Sequence, residues 1–222
     1  MTALVRYHCA LLLRSHRWLP PVLVYAAFLV IGLQAGQPVL DGFGYAAAAL
    51  VPVSAWLVRV CVTVEPPAAR HVLTAAVGPR RAHLASLVSA AGASTVVGLA
   101  GAAVIALFSD ARSGDHRTAV PLGTATLAGV LTALCCVLAG VAVGTLTNRP
   151  LLRSPAWGIP VGAASALLLL VTGASPANAA VAGMVTGSAH GVVHVPLFPL
   201  LAAALGAAGA VAVACAVSPW RE

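Results

Sequence analysis

Lysine is missing from this sequence: all 12 basic residues are arginine. A P-loop needs a lysine to reach the nucleotide phosphates, and a Schiff base to pyridoxal phosphate or retinal needs one too. If ATP drives this protein, another chain binds it. Charge of either sign is scarce. Only 8% of the 222 residues are charged, five of them acidic, where soluble domains carry about 25%. Hydrophobic residues make up 60%. Soluble proteins keep most of their charges on the surface, and so few cannot cover a fold of this size. The chain reads as an integral membrane protein.

Cysteines number five: Cys9, Cys61, Cys135, Cys136 and Cys215. The odd count and the spacing match no zinc or redox signature. They read as buried apolar thiols. No cleavable signal peptide is expected, because Arg6, Arg14 and Arg17 interrupt the apolar start.

A bilayer core takes about 20 apolar residues per helix. Six runs qualify: about 19–35, 43–64, 83–108, 120–146, 157–172 and 195–217. Pro20 and Pro21 suit the first turn of the first run, and Pro52 is an expected kink in the second. Arginine placement sets the orientation. With the N-terminus inside, the inner segments hold Arg6, Arg14, Arg17, Arg59, Arg70, Arg80, Arg81, Arg149, Arg153 and Arg221. The outer segments hold only Arg112 and Arg117. Six spans with both termini cytoplasmic follow, and the net charge of +7 reflects topology. No basic run interleaved with aromatics suggests nucleic acid.

Three segments are not plain spans. Residues 1–17 are too short and too charged to cross, and read as an interfacial helix or a frayed extension of the first span. Residues 65–82 form the largest polar insertion on the inner side. Glu65-Pro66-Pro67 ends one helix and starts another, and Gly78-Pro79 is a stop. The helix between them places Val72, Leu73, Ala76 and Val77 on one face. It reads as a docking element for a cytoplasmic partner, or as an interfacial helix without one. Residues 173–194 are apolar but broken by Gly and Pro, with Gly183, Gly187 and Gly191 every fourth residue. They read as two short re-entrant helices packed through a smooth glycine face, or as a seventh span that would put the C-terminus outside.

This layout resembles the permease subunits of bacterial ABC type-2 exporters. An interfacial helix, six spans, a coupling helix between spans two and three and a re-entrant hairpin between spans five and six all occur in order. The closest motif is an acidic residue, a short helix and a Pro-x-Arg element, matched here by Glu65, the helix around Arg70, Leu73 and Val77, and Pro79 with Arg80 and Arg81. Pro66-Pro67 stands where the family has a glycine-containing turn. The resemblance implies an all-α transmembrane domain over residues 1–222, with those residues docking a cytoplasmic ATPase dimer. It implies no cofactor in this chain, with ATP and Mg held by that partner. It implies a second permease copy or a related permease, and a bacterial cytoplasmic membrane. The substrate class it implies is amphipathic or hydrophobic: a drug, peptide, lipid or natural product. Gly140, Gly144, Gly158 and Gly162 give small-residue faces suited to protomer packing.

The remaining polar residues carry weaker readings. Arg59 reads as a snorkelling arginine or as a contact to a substrate head group. Asp41, Asp110 and Asp115 lie at outer ends and read as solvated. No carboxylate lies deep in a span, which argues against proton- or sodium-coupled transport. His190 and His194, spaced i, i+4, would share a helix face as a metal pair does. With His116 on the same side they support an alternative: a metal- or haem-handling protein, or an intramembrane enzyme. Ser188 matches no complete nucleophile elbow. A non-catalytic membrane assembly partner is the third reading.

Overall fold

A computed structural model describes residues 1–34, 36–114, 117–151 and 154–221. Every regular element among them is an α-helix: α1 (Thr2–Ser15), α2 (Leu19–Gly32), α3 (Val39–Thr63), α4 (Pro67–Val77), α5 (Pro79–Phe108), α6 (Leu122–Leu146), α7 (Pro155–Val171), α8 (Pro176–His190) and α9 (Leu197–Arg221). Proline starts several of them. Pro20 and Pro21 open α2, and Pro79 opens α5, where the missing N–H has no intrahelical partner to lose.

Four helices are long and apolar enough to cross a membrane: α3, α5, α6 and α9, or five crossings if α7 and α8 count as one. The most apolar windows of α3 and α6 are 61% and 67% buried, against 28% and 22% for α5 and α9. The first two therefore form the centre of the bundle. The last two turn apolar side chains such as Leu107, Phe108, Leu201 and Leu205 outward. Such a broad exposed apolar surface suits lipid rather than water. The first run falls short of its expected length. α2 ends at Gly32, and its 14 residues reach about 21 Å at 1.5 Å each.

The stretch between the fifth and sixth runs also differs from expectation. Residues 176–190 form one helix, and 191–196 are non-helical, so the stretch holds one helix where two were expected. α7 starts beside the C-terminal end of α6, with Gly158 against the Thr147 carbonyl. It ends level with the middle of α6, where the Cys135 thiol meets the Pro176 carbonyl at 3.5 Å. α8 continues after a break, bent by 45°. It reaches the far end of the bundle, where the Ser188 carbonyl accepts from the Gly114 N–H at 2.9 Å. Asn178 Nδ2 donates to the Leu170 carbonyl at 2.5 Å across the break. That carbonyl belongs to the last turn of α7 and has no helical donor left.

The two ends of the bundle are built differently. At the far end the 109–121 loop is stitched to its neighbours through backbone bonds such as Val39 N–H to the Asp110 carbonyl at 3.0 Å. At the basic end α1 lies as a separate helix, set off from α2 by a left-handed turn at His16. Tyr7 Oη donates to Glu65 Oε1 at 3.1 Å. Ser89 Oγ also reaches the Val5 carbonyl at 3.4 Å. α1 is thus anchored across α3 and α5 rather than being a frayed extension of α2.

Candidate functional site

The basic end carries α4, bounded as its sequence demands. Pro66 is extended (φ −60°, ψ 144°) and Pro67 begins the helix. Gly78 ends it at φ 85°, ψ 147°. A Cβ at Gly78 would meet nothing within 4 Å, so glycine is needed there for its backbone angle and not for space. None of the 11 residues of α4 is buried. Leu73 and Val77, one turn apart, are half-buried toward the bundle, while Ala76 is exposed and Val72 is 72% exposed. The apolar stripe expected on one face is therefore split between an inner and an outer pair. Arg80 and Arg81 are exposed at the start of α5, and Pro79 is half-buried.

Glu65 and Arg70 converge on a small cavity that His8, Cys61, Ala82 and His83 also line. It has about 10 Å³ of room, the space of one water molecule. His8 and His83 are each 3% exposed, and neither ring makes a hydrogen bond. An unmet polar group inside a protein costs about 1–3 kcal/mol. The sequence offered no signal for this pair, because 75 residues of chain separate two positions that line one cavity only after folding.

His8 is expected to make the seating of α1 pH-dependent. Burial holds its imidazole below the ordinary 6.5, and the Arg70 charge pushes the same way against the opposing pull of Glu65. Among the described residues Tyr7, Cys61, Glu65, Arg70 and His83 are its titratable or charged neighbours. A histidine held low when docked binds a proton more readily once α1 lifts away. Docking is therefore fullest above 6.5 and weakens as pH falls below it. Amide exchange in α1, corrected for intrinsic rate, is expected to show more frequent opening near pH 5.5 than near pH 7.5. His8→Gln should shrink that difference, and equal opening at both values would contradict the assignment.

A second feature lies between α3 and α7. A cavity of about 290 Å³ is lined by Pro52, Ala55, Trp56, Ile159 and Ala163 along its apolar length. Arg59, Thr147, Asn148, Gly158 and Gly162 complete it. Arg59 Nη1 donates to Asn148 Oδ1 at 2.9 Å. Asn148 Nδ2 in turn donates to the Gly144 carbonyl at 2.7 Å. Asn148 has no standing in the sequence beyond a polar residue after an apolar run.

Other expected sites are rearranged. Gly140 and Gly144 face Val51, Ser54, Ala55 and Val58 of α3, and Gly158 and Gly162 face Thr147. Gly140 and Gly144 thus pack α6 on α3 of the same chain, and Gly158 and Gly162 line the α3–α7 cavity. Gly183 has open space, Gly187 sits against the Val192 carbonyl, and Gly191 (φ +66°) lies near Thr118 and Ser113, so the three form no common face. Gly191 stops α8 in the left-handed region. His194 therefore lies beyond the helix, and the i, i+4 argument for His190 and His194 fails. His190 Nδ1 lies 2.8 Å from the Thr186 carbonyl. No group of three potential metal ligands occurs among the described residues. His116, Asp115 and Arg153 lie outside them. Asp41 is half-buried and Asp110 is exposed at the far end. Cys61, Cys135 and Cys136 are buried, and Cys9 and Cys215 half-buried, all as free thiols.

Comparison with protein-family models, curated proteins and solved structures finds no match to this chain.

Proposed function

We propose that the chain is the membrane-spanning permease subunit of an ATP-driven exporter of the ABC type-2 class. In this reading it crosses the cytoplasmic membrane six times, with α2, α3, α5, α6, the α7–α8 pair and α9 as spans and both termini inside. The arginine-rich end faces the cytoplasm by the positive-inside rule. Two copies, or this chain and a related permease, assemble with a pair of separate ATPase chains that hold ATP and Mg. The cargo is amphipathic or hydrophobic.

The observation that supports this most is α4. A helix with a proline start, a glycine stop and no buried residue contributes little to the core. It offers an outward surface of Val72 and Ala76 with Arg80 and Arg81 beside it. Its inner side meets the bundle at a joint where α1, α3 and α5 come together. A push on such a helix is passed to three elements at once, as rigid-body switching requires.

The test uses the chain co-expressed with the ATPase encoded nearest to it and rebuilt in lipid vesicles. Arg80→Glu with Arg81→Glu is expected to reduce the chain's effect on the ATPase rate about tenfold, a coupling loss of roughly 1.4 kcal/mol. Both side chains are exposed, so thermal stability should hardly change. An unaltered ATPase response in a well-folded variant would count against the reading.

A further inference from the structure

The cavity between α3 and α7 is polar at one end and apolar along the rest. Arg59 and Asn148 mark the end nearer the basic face, since Arg59 lies four residues before the end of α3 and Asn148 follows the end of α6. Pro52 lies seven residues deeper, about 10 Å along the helix axis at 1.5 Å per residue. Trp56 and Ile159 are 41% and 58% exposed, so the cavity opens sideways on the surface that suits lipid.

Arg59 is the one charged residue among the described residues that line the cavity. Asn148 presents an oxygen to it and is itself held by the Gly144 carbonyl. The guanidinium is thereby oriented without being neutralised. A half-buried arginine beside an apolar space favours an anion, because a planar fork of donors matches carboxylate and phosphate oxygens. A neutral occupant would exclude water from the charge and bring no opposite charge to it. The volume is near the lower bound of about 300–1,000 Å³ typical of small-molecule sites.

We propose that this cavity binds an amphiphile with one anionic head. The head sits on Arg59, and the tail lies along Pro52, Ala55, Trp56, Ile159 and Ala163. The amphiphile enters sideways from the leaflet at the basic face. That it is the exported cargo rests on the permease reading; the binding itself does not. The same chemistry has two sources, a resident membrane phospholipid or a single-chain cargo.

The experiment uses the full chain in a non-ionic detergent, with Trp18, Trp157 and Trp220 changed to Phe so that Trp56 alone reports. The probe is 11-bromoundecanoate, whose bromine quenches a tryptophan in contact with it. Saturable quenching is expected, about tenfold weaker for the methyl ester and for Arg59→Gln. Arg59→Lys should retain part of the affinity and shows that the fold survives. Equal binding of acid and ester, or an Arg59→Gln protein that binds as the parent does, overturns the proposal. Competition then separates the sources. Displacement by phosphatidylglycerol but not phosphatidylcholine supports the site and assigns it to a membrane lipid. Displacement by neither supports it for a single-chain anion. Displacement by both alike overturns it, because head charge would not matter. No ATPase takes part, so failure here leaves the permease reading standing, and failure of that reading leaves this result intact.

Discussion

Alanine at Gly140 and Gly144 is expected to pry α3 from α6 and to destabilise the protein. A Cβ at Gly144 would lie 2.7 Å from Val58 Cβ, 2.8 Å from the Ala55 carbonyl oxygen and 3.0 Å from Ala55 Cα. At Gly140 it would meet the Val51 carbonyl, with Ser54 Cβ at 2.8 Å. Backbone atoms cannot rotate away as a flexible side chain can, so a whole helix must move. Overpacking of this kind costs about 1–3 kcal/mol per site. The two sites lie one turn apart on one seam, so the second methyl should cost less once the first has moved α3. Lipid tails are as apolar as the helices, and close contact between small residues is what holds them together. Gly206→Ala and Gly209→Ala are the controls, because a Cβ there meets nothing within 4 Å. They should be neutral or gain up to about 1 kcal/mol of helix propensity. Thermal unfolding in detergent reads all four variants, and equal midpoints would contradict this account of the seam.

Proline at Leu73 is expected to abolish attachment of a partner without unfolding the bundle. Position 73 is inside α4, where proline removes a backbone hydrogen bond and strikes the preceding turn, at about 3 kcal/mol or more. α4 buries none of its residues, so packing cannot offset that loss. The bundle around α3 and α6 does not rest on α4, and its unfolding midpoint should move little. Amide exchange should show α4 open in Leu73→Pro and protected in the parent. Val72→Glu separates surface from fold. Val72 points outward, so this change should keep the helix and weaken attachment alone. Full partner binding by Leu73→Pro would remove α4 as the docking element.

Local stop signals were legible in the sequence, and long-range partners were not. Pro66-Pro67 and Gly78-Pro79 placed a helix at 66–78, and α4 spans Pro67–Val77. These residues restrict the backbone where they stand, whatever packs against them. Apolar length likewise marked α3, α5, α6 and α9. The spacing of Gly140 and Gly144 announced a close approach, but spacing cannot say to what. The partner proved to be α3 of the same chain. The 173–194 stretch misled because its glycines play unlike roles. Gly191 ends a helix by a left-handed turn, Gly187 admits the returning chain and Gly183 faces open space. Nor could the sequence join Arg59 to Asn148, 89 residues apart, or bring His8 beside His83.

The central claim is that a separate ATPase docks on α4. The most direct measurement is to express the tagged chain with its genomic neighbours, purify it gently and identify what stays with it. The account predicts a chain with a P-loop lysine, present in stoichiometric amount, hydrolysing ATP and lost from Leu73→Pro. Purification of the well-folded chain without any nucleotide-hydrolysing partner, or with one that stays bound when α4 is broken, would contradict it.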